Sequence, residues 1–203
     1  MIPPNQLWPL DQARANLVLP PRISEALAAL RDLGRDDLAA TLGEPSALHR
    51  TLYHDLTPIE HPEFAGNFRG SAFPTLRHCQ VASAFNAARG TPLLIPPGQV
   101  AEYMVTYRRL IAHVLTTVGE PSPRAIEAMA SVTIVLGKIH PFLDGNGHIQ
   151  RVTFQALAER AGYVTCSGWR IHPKPYGEEM DRLKASGDVK ALASALAAYL
   201  EAR

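Results

Sequence analysis

Residues 140–151, His-Pro-Phe-Leu-Asp-Gly-Asn-Gly-His-Ile-Gln-Arg, gather the residue types of nucleotide-phosphate chemistry. Gly145 and Gly147 flank Asn146, and glycines let successive backbone N–H groups converge into an anion-binding nest. A helix starting directly afterwards adds its positive end and its free N–H groups. Asp144 stands beside the nest and offers carboxylate oxygens to a divalent cation. Arg151, one turn into the helix, can reach back to a phosphate with its planar fork of donors. His140 belongs to the one residue type that titrates near neutrality and can serve as general base. Each feature alone has an ordinary reading. Gly-Asn-Gly is a common turn, a histidine at a helix end complements the dipole, and Asp before Gly is turn chemistry. Their occurrence together, in this order between two helices, favours the nucleotide reading. A second reading makes His140, Asp144 and His148 ligands of one metal ion; it lacks the His-x-x-x-His pairing of helical metal sites.

Such a loop needs rigid elements on both sides. Upstream, Val100, Tyr103, Met104, Tyr107, Leu110, Ile111, Val114, Leu115 and Val118 recur at helical spacing, and Gly119 and Pro121 end that helix. Ser122-Pro123 is an N-cap followed by proline at the first helical position. The next helix, Arg124 to Ile139, is apolar nearly all round and is expected to be buried and central. Pro141 breaks it. Downstream, a helix from near His148 to Ala161 turns Val152, Leu157, Ala158 and Ala161 inward and stops at Gly162. Further helices are expected over Tyr176 to Ala185 and, capped by Asp188, through Val189, Leu192, Leu196 and Leu200.

The first twenty residues are rich in proline and read as irregular. Ser24 reads as the N-cap of a helix through Ala26, Leu27 and Leu30, stopped at Gly34, and Asp36 to Leu42 as a short helix ending at Gly43. Residues 57–77 read as a long connection. Cys79, Val81, Ser83 and Phe85 alternate, residues 86–90 form a plausible loop, and Thr91 to Ile95 is short and extended. A hairpin is the reading here, with a helix over 78–88 as its rival. The fold class is mainly α with one small hairpin.

Composition sets bounds. A chain of 203 residues is one domain, or one with a short appendage. With 46% hydrophobic and 19% charged residues it is not a disordered chain. A net charge of +1 carries no footprint of a nucleic-acid binder. Cys79 and Cys166 make neither a disulfide framework nor a zinc site and fit a reducing compartment. No apolar run is long enough for a membrane span, and the first residues lack the pattern of a secretory signal. A cytoplasmic protein is expected, with export by a dedicated secretion machine left open.

The loop resembles the signature of the Fic (filamentation induced by cAMP) family, His-Pro-Phe-x-Asp/Glu-Gly-Asn-Gly-Arg-x-x-Arg. His140, Pro141, Phe142, Asp144, Gly145, Asn146, Gly147 and Arg151 agree with it, and His148 stands where the family has its first arginine. Glu63 to Arg69 is similar to the family's aromatic-Ala-Gly-x-x-Arg segment, and Leu94-Ile-Pro-Pro97 to the end of its flap hairpin. Arg151 to Gly162, and Gly187-Asp188 before Leu192, are similar to its later segments. The resemblance spans roughly residues 50–200. It implies an N-terminal helical extension over 1–50 and a Fic-like domain over 51–203, a helical bundle around a buried central helix with a β-hairpin flap.

The resemblance further implies a protein adenylyltransferase that moves AMP from ATP to a Ser, Thr or Tyr hydroxyl of a target protein. In that scheme His140 deprotonates the hydroxyl and Asp144 holds Mg²⁺. Gly145, Asn146 and Gly147 bind the α-phosphate region, and His148 and Arg151 lie at the distal phosphates. Phe142 is buried and fixes the loop. Thr91, Pro92, Leu93, Leu94 and Ile95 form the flap, which adds a strand to the target segment; an ordinary hairpin edge is the alternative. With histidine at 148, weaker nucleotide binding, an altered donor or a module that only binds a nucleotide or a protein are the other outcomes. Gly-Asn-Gly in place of Ala-Asn-Lys speaks against transfer of the terminal phosphate. The family's autoinhibitory segment has no counterpart: Thr116 and Glu120 have its spacing but are followed by Pro121, between flap and loop. Inhibition is then supplied by a separate antitoxin-like chain or is absent.

Overall fold

The computed structural model describes residues 8–81 and 94–203. Its helices are α1 (Gln12–Arg31), α2 (Arg35–Gly43), α3 (Ser46–Tyr53), α4 (Pro74–Arg77), α5 (Val100–Thr117), α6 (Pro123–Ile139), α7 (Asn146–Arg160), α8 (Glu178–Ser186) and α9 (Val189–Ala197). Single 3-10 turns lie at Pro62–Phe64 and Pro97–Gln99. Among the described residues no helix is long and apolar enough to cross a membrane.

The central helix forms as its sequence dictates. Ser122 accepts a hydrogen bond from the Ala125 N–H at 3.2 Å, and Pro123 occupies the first turn, where its missing N–H costs nothing. Met129, Ala130, Val132, Ile134, Leu136 and Ile139 are buried. They pack against α5, α7 and α9 on different sides of α6. Each large apolar side chain buried this way contributes roughly 1.5–3 kcal/mol. That packing makes α6 a rigid mount for the residue at its end.

Several local expectations are corrected. The first helix begins at Gln12 rather than after Ser24, with Asp11 as its N-cap. Ser24 lies inside it and returns its hydroxyl to the Pro20 carbonyl at 3.1 Å. Pro20 and Pro21 sit within the helix, which persists because Ala15, Leu19, Ile23, Ala26, Leu27 and Leu30 bury one continuous face. Packing of that face on α3 and α7 overrides the local penalty. The eight residues of α3 have no counterpart in the sequence reading; two turns are too short for periodicity to stand out.

The expected hairpin at 78–95 and its helical rival fall mainly on residues 82–93, outside the described residues. The two-stranded sheet that is described lies elsewhere. β1 (Tyr163–Thr165) pairs antiparallel with β2 (Leu200–Ala202), Val164 opposite Glu201. The last helix therefore ends at Ala197, and Leu200 belongs to a strand instead of the helix's inner face. The cause is pairing across the sequence: the Cys166 N–H donates to the Tyr199 carbonyl and the Arg203 N–H to that of Gly162, both at 3.0 Å.

The connection over 57–77 is held by two glycines at positive φ, Gly66 (+81°) and Gly70 (+82°). A Cβ on Gly70 would lie 1.8 Å from the Pro97 carbonyl oxygen, so this segment touches the entry to α5 backbone against backbone. Gly70→Ala is expected to lose about 3–5 kcal/mol, from left-handed strain plus overpacking. Urea unfolding measures it, and a loss below about 1 kcal/mol would contradict the contact.

Candidate active site

The site starts where α6 ends. His140 follows the last helical residue in the left-handed conformation, φ +49°, the one non-glycine residue at positive φ among the described residues. Such a turn costs about 1–2 kcal/mol and must be held by its surroundings. The His140 N–H bonds the Leu136 carbonyl at 2.9 Å. The final carbonyls of a helix have no partners within it; here Arg69, fully buried, supplies them. Its Nε donates to the His140 carbonyl and its Nη2 to those of Ile139 and Ile95, each at 2.6 Å. The Arg69 N–H donates to the Pro141 carbonyl at 2.8 Å. Burial, then the Arg69 charge, push the half-buried His140 imidazole down to about 4, against a hydrogen bond to the Gly137 backbone. His140 is thus neutral at pH 7, the form a base requires.

The loop closes on itself through Asn146. Its Oδ1 accepts from the Phe142 N–H at 2.9 Å and its Nδ2 donates to the Phe142 carbonyl at 2.8 Å. The buried amide therefore closes the loop on the Phe142 backbone. Phe142 is fully buried, as expected of it. It stacks on His49 with ring centroids 3.9 Å apart.

His49 went unnoticed in the sequence and is the brace beneath the loop. Its Nε2 donates to the Asp144 carbonyl at 3.0 Å and its Nδ1 accepts the Gly66 N–H at 2.9 Å. Burial pushes the ring down to about 3, so it stays neutral with its proton on Nε2. Tyr53, one helical turn later, stacks on His49, and a Cβ on Gly145 would lie 2.5 Å from the Tyr53 ring. The signal for both was present: an aromatic pair at i, i+4 before a Gly-rich segment.

Gly145 (φ +78°) begins α7, and the first N–H groups of a helix have no internal acceptor. Among the described residues the Asn146 and Gly147 N–H groups have no recorded acceptor and are the ones left for an anion, while that of Gly145 goes to Asp144 and those of His148 and Ile149 to the Gly145 carbonyl. Arg151 is buried beside it, donating from Nε to the Ile171 carbonyl at 2.7 Å. A Cβ on Gly147 would lie 3.1 Å from Arg151 Nη1, so glycine leaves the guanidinium its room. Among the described residues no carboxylate pairs with Arg151, which leaves its charge for an anion. Asp144 is exposed at the rim and accepts the Gly145 N–H at 2.6 Å through Oδ1. Crowding by the loop raises its carboxyl above the ordinary value, opposed by that hydrogen bond.

Among the described residues no three His, Cys, Asp or Glu side chains are gathered to hold a metal, so His140, Asp144 and His148 do not form a protein-only metal site. One exposed carboxylate beside an anion nest does fit Mg²⁺, which keeps several waters and takes one or two carboxylates together with substrate phosphates.

His148, expected at the distal phosphates, has both ring nitrogens engaged within the fold. Its Nδ1 lies 2.6 Å from the Tyr53 hydroxyl and its Nε2 2.9 Å from His172 Nδ1. His172 Nε2 in turn donates to Asn16 Oδ1 at 2.8 Å, which orients the whole chain. With neutral rings, His148 donates from Nε2 and accepts from Tyr53, whose phenol burial keeps protonated. Burial, then Arg151 and His172, push His148 down to about 3. It therefore brings no positive charge. Of the expected flap, Thr91, Pro92 and Leu93 lie outside the described residues. Leu94 is buried, and Ile95 gives its N–H to the Lys138 carbonyl at 3.0 Å and its carbonyl to Arg69. These two residues anchor the segment; Ile95 offers no free strand edge.

The family model described as the Fic/DOC family matches residues 41–158. No curated protein sequence matches the chain. Solved Fic-domain structures share its fold, three of which follow. The N-terminal Fic domain of a VirB-translocated Bep effector from Bartonella quintana has a TM-score of 0.61 at 16% identity, covering 91% of this chain and 84% of that one. That of Bep8 from Bartonella sp. 1-1C has a TM-score of 0.59 at 18% identity, with 91% and 85% covered. BepC from Bartonella tribocorum, solved with bound AMPPNP, has a TM-score of 0.61 at 18% identity, with 98% and 89% covered.

Proposed function

The chain belongs to the Fic/DOC family, and from that we propose that it is a protein adenylyltransferase, moving AMP from ATP to a hydroxyl of a target protein. The observation that carries the reading is His140. A neutral imidazole, fixed on a rigid helix end, stands at the head of a loop that leads into a backbone nest and an unpaired buried arginine. Bound AMPPNP in BepC supports a nucleotide donor.

In this mechanism the nest at Gly145–Gly147 and the N-terminus of α7 bind the phosphates. Arg151 neutralises them from within the fold. Asp144 would hold Mg²⁺, which when bound supplies charge neutralisation for the polyphosphate. His140 takes the proton of the Ser, Thr or Tyr hydroxyl. The freed oxygen forms a bond to the α-phosphorus, the bond from that phosphorus to the bridging oxygen breaks, and pyrophosphate leaves with the electron pair. His49 and Asn146 keep the loop in register throughout. A separate inhibitory chain remains part of the proposal, since the family's internal inhibitory segment has no counterpart here.

One observation favours a second reading. His148 carries no charge and both its nitrogens are engaged away from the nest. A module that holds a nucleotide weakly, without transfer, would have this form. The two readings separate when the protein is incubated with cell lysate and ATP labelled at either the α or the γ phosphate. The transferase gives protein bands with the α label alone, and EDTA abolishes them. ATP binding by calorimetry with no labelled band would establish the second reading, and neither binding nor label would end both.

A further inference from the structure

We propose that Arg69 is the positioning residue of this site: its guanidinium holds the left-handed His140 turn and locks it to the backbone of Ile95, so that the base and the exit of the flap segment keep one fixed spacing. The geometry is unusual for an arginine. It is fully buried, and among the described residues no carboxylate pairs with it. A buried cation without a counter-ion is costly and persists where its donors are needed. Here Nε and Nη2 go to carbonyls from two separate parts of the chain, Ile139 and His140 at the end of α6 and Ile95 before α5, while the buried Nη1 has no partner among the described residues. The Lys138 carbonyl closes the same junction by accepting the Ile95 N–H. Nη2 alone bridges the two sides, and Nε, held in the same rigid plane, fixes the His140 carbonyl beside it, an orientation that a lysine ammonium on a flexible stem does not impose.

The same charge adds to burial in keeping His140 neutral. Two cations disfavour a charge on its ring, Arg69 and, more weakly, Lys184 of α8. Lys184 is neutralised by Asp181 at 2.7 Å, whereas Arg69 has no such partner among the described residues. Arg69 thus holds the turn and disfavours imidazolium. The geometry stands without the transferase reading; its meaning for catalysis rests on His140 as base.

The test is an NMR titration of isotope-labelled protein, with the His140 ring signal assigned by His140→Gln, beside the labelling assay. In the wild type His140 is expected to stay neutral down to the pH at which the fold is lost. Arg69→Met should speed amide exchange at Ile95 at least tenfold and move the His140 titration toward its ordinary value. Arg69→Lys keeps the charge and loses the fork. His140 should then titrate as in wild type, while amide exchange at Ile95 speeds at least tenfold and transfer falls at least tenfold. A folded Arg69→Met protein with wild-type amide exchange at Ile95 overturns the proposal. Should Arg69→Met not fold, Arg69→Lys with wild-type exchange at Ile95, or a wild-type His140 titrating at its ordinary value, does the same. Wild-type protein that shows these NMR results but labels no target refutes the transferase reading and leaves the positioning role standing.

Discussion

His140→Ala is expected to abolish most labelling of target protein, by about 10²-fold or more, while the fold and the affinity for Mg²⁺-ATP stay near wild type. The reason is local. The His140 ring is half-buried and lies outside the loop's own closing bonds, which run between Asn146 and Phe142 and between His49 and Asp144. Arg69 reaches the residue through its carbonyl, which alanine retains. Alanine at φ +49° pays a modest strain, so unchanged circular dichroism is part of the expectation. His140→Asn, which tolerates the left-handed turn better, should lose transfer equally. Labelling within threefold of wild type in either folded variant would remove His140 from the chemistry.

The second large effect is acid lability. His49 and His148 are pushed down to about 3 and His140 to about 4 in the folded chain, chiefly by burial. In the unfolded chain each titrates near 6.5. The unfolded state therefore binds more protons throughout the interval between these values. Their stabilising contribution is fully present above about pH 6.5 and is lost as pH falls toward the folded values. Each histidine contributes a slope of about 1.4 kcal/mol per pH unit, and the three together about 4. A domain stable by roughly 5–15 kcal/mol cannot withstand that slope for long. Helical circular dichroism is expected to vanish cooperatively with a midpoint between about pH 4 and 5.5, with uptake of about three protons. The ion-paired carboxylates act lower: Asp55 is held at about 2 by Arg22. His148→Gln should move the midpoint toward lower pH. A chain still folded at pH 3.5 would show that these rings are not buried neutral.

Much of this protein was legible in its residue order, for reasons that are local. An apolar stripe all round residues 124–139 can satisfy itself only by burial, and Ser122-Pro123 and Pro141 mark where that helix begins and ends. Gly145 and Gly147 announced a turn into a helix, and at Gly145 the positive φ and the close approach of the Tyr53 ring are ones that only glycine permits. The family resemblance also lies in residue order, because a twelve-residue loop carries its own signature. Tertiary structure decided the rest. Two prolines inside α1 are tolerated because a long face is buried, and β2 forms because a strand nearly forty residues earlier waits for it. Asn146 became a loop closure because folding brings its amide against the Phe142 backbone, on both its N–H and its carbonyl. His148 became neutral because Tyr53 and His172, each far away in sequence, meet it at hydrogen-bond distance in a desolvated corner. Side-chain type fixes what a residue can do chemically; its partners and its distance from water, which only folding sets, fix which of those things it does.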